Sequence, residues 1–188
     1  MKKRLYDKHR TGRVTWHSYE NGVYFITICT KNRKHYFGEI VKSTTLKKNS
    51  RNIMQLSDIG IFMNRQIQDI SIHHPYARIP IWTVMPNHIH LIVIIDGTKT
   101  PYKRRILSSL SLDKKEILTA SGISNLQGWL SITIGSLKSS VTRFARQNNI
   151  GFDWQSRFYD HIIRGKEWVN IVHYIRNNIQ QWKEDCFF

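Results

Sequence analysis

Residues 84–95, VMPNHIHLIVII, constrain this chain more than any other stretch. From residue 88 on, every position except the two histidines is Ile, Leu or Val, the composition of a strand covered on both faces. Side chains alternate along a strand, so His88, His90, Ile92 and Ile94 share one face. Ile89, Leu91, Val93 and Ile95 share the other. A strand apolar on both sides belongs in the centre of its sheet. Two imidazoles therefore stand at the mouth of a rigid, buried platform, and they need partners there.

The rest of the chain reads as an α+β pattern. Val23 to Thr30 (VYFITICT) is a strand introduced by the Asn21-Gly22 turn signal. Residues 36–56 suggest a ragged hairpin with KKNSRN at its tip. Ser57 is a candidate N-cap for a helix carrying Ile59, Phe62, Met63, Ile67 and Ile70. Arg78 to Met85 is a further strand, and Pro86-Asn87 turns it into the histidine strand, so the two should pair antiparallel. After the polar stretch 96–127 comes a helix with Leu130, Ile134, Leu137, Val141 and Phe144 on one face, then the extended segment WQSRFYDHIIR (154–164). The last helix is expected from about Lys166 to Trp182. This order predicts helices packed on a small antiparallel sheet. At 188 residues, one domain is expected, with a basic arm at about 1–20 and a surface linker at about 96–127.

Charge narrows the class of partner. Lys and Arg number 29 against 13 Asp and Glu, a net charge of +16. Such an excess points to a polyanion, nucleic acid first, ahead of an anionic membrane surface or solubility alone. No apolar run approaches the ~18 residues of a membrane span. MKKRLYDKHRTGR is basic but precedes no apolar signal core, so a cytoplasmic protein is expected. Cys29 and Cys186 offer neither zinc spacing nor a disulfide framework, and Cys29 fits a small buried hydrophobe.

A partner for the histidines is available on the last helix. Trp168, Val172, Ile175, Ile179 and Trp182 form an apolar stripe, and Tyr174 and Asn178, four apart, share a face beside it. A hydroxyl and an amide there could point at a metal held by His88 and His90. Two neutral imidazoles and a carbonyl oxygen suit Mg²⁺ or Mn²⁺, with Zn²⁺ left open. Taken singly, each signal has an ordinary explanation. An H-x-H pair is more often a hydrogen-bonded couple, a helix tyrosine more often edges a core, and an amide more often faces solvent. Their convergence in a strongly basic chain is what favours chemistry.

The ordered set VMPNHIHLIV, WQSRFYDHIIR and HYIRNN closely resembles the REP-associated tyrosine transposases, members of the HUH group of single-strand DNA transposases. The resemblance runs from about Val23 to Trp182. It implies a ferredoxin-like sandwich with the histidine pair on a central strand. It makes His88 and His90 metal ligands and Asn178 the third. Tyr174 becomes the nucleophile that forms a 5′-phosphotyrosine and releases a 3′-OH. His161 corresponds to a histidine near the active site.

The activity expected is metal-dependent nicking and rejoining of single-stranded DNA at hairpin-forming repeats. A monomer is expected, with a homodimer as the alternative. The competing readings are a dimeric insertion-sequence transposase with its tyrosine acting in trans, a non-catalytic nucleic-acid-binding protein that kept the fold, and a nuclease using water. For DNA contacts, Arg157, Tyr159 and Arg164 combine charge with an aromatic ring, while Phe158 fits the core better. Lys103, Arg104 and Arg105, with the N-terminal arm, could hold a hairpin's phosphates.

Overall fold

A computed structural model describes residues 21–43, 51–100 and 128–185. The N-terminal arm, residues 47–50 of the hairpin tip, residues 101–127 of the expected linker with Lys103, Arg104 and Arg105, and Cys186 lie outside these residues.

Four strands form one antiparallel sheet in the order β4-β5-β1-β6, with β1 at Gly22–Cys29, β4 at Ala77–Val84, β5 at His88–Ile95 and β6 at Tyr159–Ile162. The helices α1 (Asp58–Gln68) and α3 (Trp129–Gln147) occur at the crossovers β1 to β4 and β5 to β6. Together these make a β-α-β-β-α-β unit. Between β1 and α1 is inserted a separate hairpin, β2 (Gly38–Lys42) paired with β3 (Asn52–Leu56). A short α2 (Ile70–His73) precedes β4, and α4 (Glu167–Asn177) follows β6.

The period-2 pattern decides which residues meet. Tyr24, Ile26 and Ile28 of β1 and Ile89, Leu91, Val93 and Ile95 of β5 pack with the apolar stripes of α1 and α3 in the main core. The opposite face carries Phe25 and Ile92, which pack against Ile171 and Ile175 of α4. The site is on this second face.

Several sequence expectations are met locally. Ser57 caps α1, its hydroxyl accepting from the Gly60 amide at 3.2 Å. The β4–β5 hairpin turns through Pro86-Asn87, with the Met85 amide donating to the His88 carbonyl at 2.9 Å. Pro80 falls at the register shift in β4, an edge strand, where a missing N–H does least harm. Cys29 is buried, and Phe158 packs against the main core. Among the described residues, no helix is long and apolar enough to cross a membrane.

The last helix differs from the expectation. It stops at Asn177 instead of reaching Trp182, and the chain turns into a single 3-10 turn at Trp182–Glu184. Asn177 and Asn178 are weak helix formers. Asn52, at the start of β3, takes over the end: its side-chain amide donates to the carbonyls of Ile179 and Gln180, each at 3.3 Å. The Gln180 amide donates back to the Asn52 carbonyl at 2.7 Å. The buried line is also rotated. Ile171, Ile175, Asn178 and Trp182 are buried, while Val172 and Ile179 are half-buried.

Candidate active site

Strand pairing places a row of side chains across the sheet. Thr83, His90, Thr27 and Tyr159 are register partners on β4, β5, β1 and β6. His90 and His88 are wholly buried. Their rings converge, with the two Nε2 atoms 3.0 Å apart. The alternation read from the sequence therefore puts both imidazoles on one face, facing one point.

Each ring is held from behind. His88 Nδ1 lies 2.8 Å from Asn87 Oδ1. An amide oxygen only accepts, so Nδ1 carries the proton and Nε2 presents its lone pair. His90 Nδ1 lies 2.8 Å from the Thr27 hydroxyl. Outer partners of this kind fix ring orientation at metal sites. Burial is the main reason that both histidines resist protonation, His88 especially, where the neighbouring His90 adds to the effect. Neutral imidazoles are the form that binds metals.

The helix side completes the cluster. The Tyr174 hydroxyl lies 3.2 Å from His90 Nε2 and donates to Asp185 Oδ2 at 3.3 Å. Its ring meets Phe25 edge-on, with centroids 6.0 Å apart, and Phe25 stacks on His90. Asn178 is 2% exposed, and its amide nitrogen donates to Asp185 Oδ2 at 2.7 Å. Its Oδ1 is buried with no hydrogen-bond partner. An orphaned buried carbonyl oxygen costs free energy unless something binds it.

Asp185 was missed by sequence reasoning. Its side chain is 1% exposed, and Oδ2 lies 3.9 Å from His88 Nε2 and 4.0 Å from His90 Nε2. His88, His90 and Asp185 could hold a metal ion, their ligand atoms all lying within 4.8 Å of one another. The residues fit a divalent ion. Two facing imidazole nitrogens at this spacing, an orphaned amide oxygen and a carboxylate form a mixed N/O donor set with no thiolate. Helical spacing carried no signal for Asp185, which lies beyond the end of α4 and just after the 3-10 turn at Trp182–Glu184.

The structure brings His88, His90, Tyr174 and Asn178 together. His161 shares their face, paired with Phe25, but its Nε2 lies 3.1 Å from Glu167 Oε2. Tyr159 sits on the same face at the sheet's edge, half-buried. Arg157 and Arg164 are exposed beyond the two ends of β6.

No protein-family model matches the chain. A Haemophilus influenzae protein with the description "Uncharacterized protein" is 35% identical over 188 residues, covering 95% of this chain and 92% of its own length. The chain belongs to the same family as that protein. Among solved structures, the fold of this chain resembles that of a REP-associated tyrosine transposase bound to a REP hairpin. The TM-score is 0.50 at 17% identity, covering 92% of this chain and 74% of the other. At that identity the likeness shows a transposase-like fold: an α+β molecule whose four-stranded antiparallel sheet carries packed helices.

Proposed function

We propose that this protein is a REP-associated tyrosine transposase-like enzyme that cleaves and rejoins single-stranded DNA at hairpin-forming repeats. It would act as a single-domain, cytoplasmic monomer. The observation that carries the reading is one buried cluster: a tyrosine hydroxyl 3.2 Å from a histidine nitrogen that itself faces a second histidine nitrogen at 3.0 Å. A core-edge tyrosine has no need of such neighbours.

His88 and His90 offer their Nε2 lone pairs to Mg²⁺ or Mn²⁺, with Zn²⁺ the alternative, and Asn178 offers the oxygen that has no other partner. The bound ion would supply Lewis-acid polarisation of the scissile phosphate. Tyr174 attacks that phosphorus in line, forming a 5′-phosphotyrosine and releasing a 3′-OH. The Asp185 carboxylate, 3.3 Å from the hydroxyl, is placed to take its proton. Attack by a 3′-OH on the phosphotyrosine reverses the step and rejoins a strand without an external energy source. Phe25 holds the tyrosine ring edge-on beside His90, so the hydroxyl is positioned before substrate arrives.

The test is incubation of the full chain with labelled single-stranded hairpins and Mn²⁺, scored on a denaturing gel. A covalent protein–DNA adduct is expected. Cleavage without an adduct would assign the chemistry to water and overturn the tyrosine mechanism.

A further inference from the structure

The residues after α4, Asn178 to Asp185, carry a carboxylate into the site, and a distant strand sets their course. Asn52, at the start of β3, is joined to Gln180 by hydrogen bonds in both directions. Its backbone amide donates to Gln180 Oε1 at 3.0 Å, and its carbonyl accepts from Gln180 Nε2 at 2.7 Å. In an antiparallel pair alternate residues turn these groups outward, so Gln180 covers the open side of β3 as a further strand would. The Asn52 side chain answers with its own amide nitrogen, which donates to the Ile179 and Gln180 carbonyls at 3.3 Å each.

Those two carbonyls are the ones a continuing helix needs. They would accept from the amides of Lys183 and Glu184, four residues on. Residues 179–184, IQQWKE, hold no Gly or Pro, and Gln, Lys and Glu favour helix, so nothing local beyond Asn178 stops α4. With Asn52 in place, the Glu184 amide bonds instead to the Gln181 carbonyl at 2.8 Å, and the chain tightens into its 3-10 turn. The difference in reach is large. Tyr174 and Asp185 are 11 residues apart, about 16 Å along a straight helix. In the folded-back chain the Asp185 carboxylate lies 3.3 Å from the Tyr174 hydroxyl. It also accepts from Asn178 Nδ2 at 2.7 Å, which leaves Asn178 Oδ1 as the oxygen without a partner. Trp182, buried against His88, fixes the turn between Gln180 and that carboxylate.

We propose that Asn52 and Gln180 are positioning residues of the active site, clamping the chain after α4 so that Asp185 reaches Tyr174 and orients the Asn178 amide. This rests on the tyrosine mechanism given above and adds what holds its base in place. Neither residue touches the reacting groups; both act through Asp185. The inserted hairpin β2–β3, which lies outside the main sheet, thereby takes part in the reaction.

The experiment uses the full chain, a labelled single-stranded hairpin and Mn²⁺. It reads the maximal rate of adduct formation, the DNA concentration giving half that rate, and the Mn²⁺ dissociation constant without DNA. Asn52→Asp keeps the shape of the side chain but turns its donor into a carboxylate, which the two carbonyls repel. Gln180→Ala opens the clamp from the exposed side. Each should lower the maximal rate at least tenfold, roughly, and leave the half-saturating DNA concentration within about twofold. Each should also weaken Mn²⁺ binding about tenfold, because the Asn178 amide is no longer oriented. Ile53→Thr, at the next and exposed position of β3, should change neither. The deciding arm is Asp185→Asn: added to it, Asn52→Asp should have no further effect on rate or on Mn²⁺ affinity. Additive losses, an equal loss in Ile53→Thr, or unchanged rate and Mn²⁺ affinity in both clamp variants overturn the proposal. With a wild-type adduct present, any of these leaves the tyrosine mechanism standing. Absence of a wild-type adduct sinks that mechanism, and the clamp then stands or falls on Mn²⁺ affinity alone.

Discussion

The two faces of the central sheet are made from alternate residues of the same strands, and they differ in kind. Toward α1 and α3, β1 and β5 present only Tyr24 and aliphatic side chains, closed by two helices. Toward α4 they present Phe25, Thr27, His88, His90 and Ile92, under one helix whose buried line ends in an asparagine. Among the described residues, every buried polar side chain except Thr133 belongs to the second face or to the turns at its end. Burying polar groups disfavours folding unless each is satisfied, and Asn178 Oδ1 is not. The first face supplies stability, and the second uses some of it. The fold can carry such a site because β5, central in the sheet, is held on both edges by β1 and β4.

The largest stability effect should come from the first face. Leu91→Ala removes a wholly buried side chain opposite the α1 and α3 stripes and should cost about 2–5 kcal/mol. Adduct yield per folded molecule should stay near wild type, because neighbouring His90 and Ile92 point the other way. Denaturant unfolding together with activity measured at low temperature checks both halves. A selective loss of activity with little loss of stability would break the division between faces.

Metal should act on the second face alone. An ion that binds only the folded state stabilises by about 2.7 kcal/mol at a hundredfold excess over its dissociation constant. Mn²⁺ should therefore raise the melting temperature of wild type and of Leu91→Ala alike, and should leave His88→Ala and His90→Ala unmoved. An equal Mn²⁺ shift in the histidine variants would place the ion elsewhere.

These contrasts show what was legible in the sequence. Alternation in HIHLIVII gave the two faces directly, because a period of two leaves no choice about which residues share a side. Helical spacing brought Tyr174 and Asn178 to the same neighbourhood. The end of α4 was not legible, since it depends on Asn52, more than a hundred residues earlier, bonding to the carbonyls of Ile179 and Gln180. Asp185 went with it: only a helix that stops early lets Trp182 stack on His88 and carries the carboxylate into the site. The stripe's rotation toward Asn178 has the same origin in tertiary contacts that local spacing does not encode.

Acid should separate the faces by a smaller amount. Both buried histidines have protonation suppressed relative to the unfolded chain, so the unfolded state takes up protons first as pH falls. Stability is thus fully present above about pH 6.5 and declines below it. In chelator, His88→Gln and His90→Gln should each flatten that decline, whereas Leu91→Ala should lower the whole curve without changing its slope. Parallel acid curves for all four proteins would mean that the two histidines are not the groups that titrate.

The smallest change in stability should accompany the most complete loss of function. Tyr174→Phe keeps the ring that packs edge-on against Phe25 and removes one hydroxyl. Its contacts with the His90 imidazole and the Asp185 carboxylate, at 3.2 Å and 3.3 Å, are long for a hydroxyl. Asp185 retains the stronger 2.7 Å bond from Asn178, so no buried charge is left without a partner. The stability cost should be no more than about 1 kcal/mol. The proposed covalent step has no other oxygen to use at that position, so the adduct should vanish while affinity for DNA stays near wild type. Undiminished cleavage by Tyr174→Phe would sink the nucleophile assignment. Tyr159, on the same face one strand beyond Thr27, is then the hydroxyl to replace next.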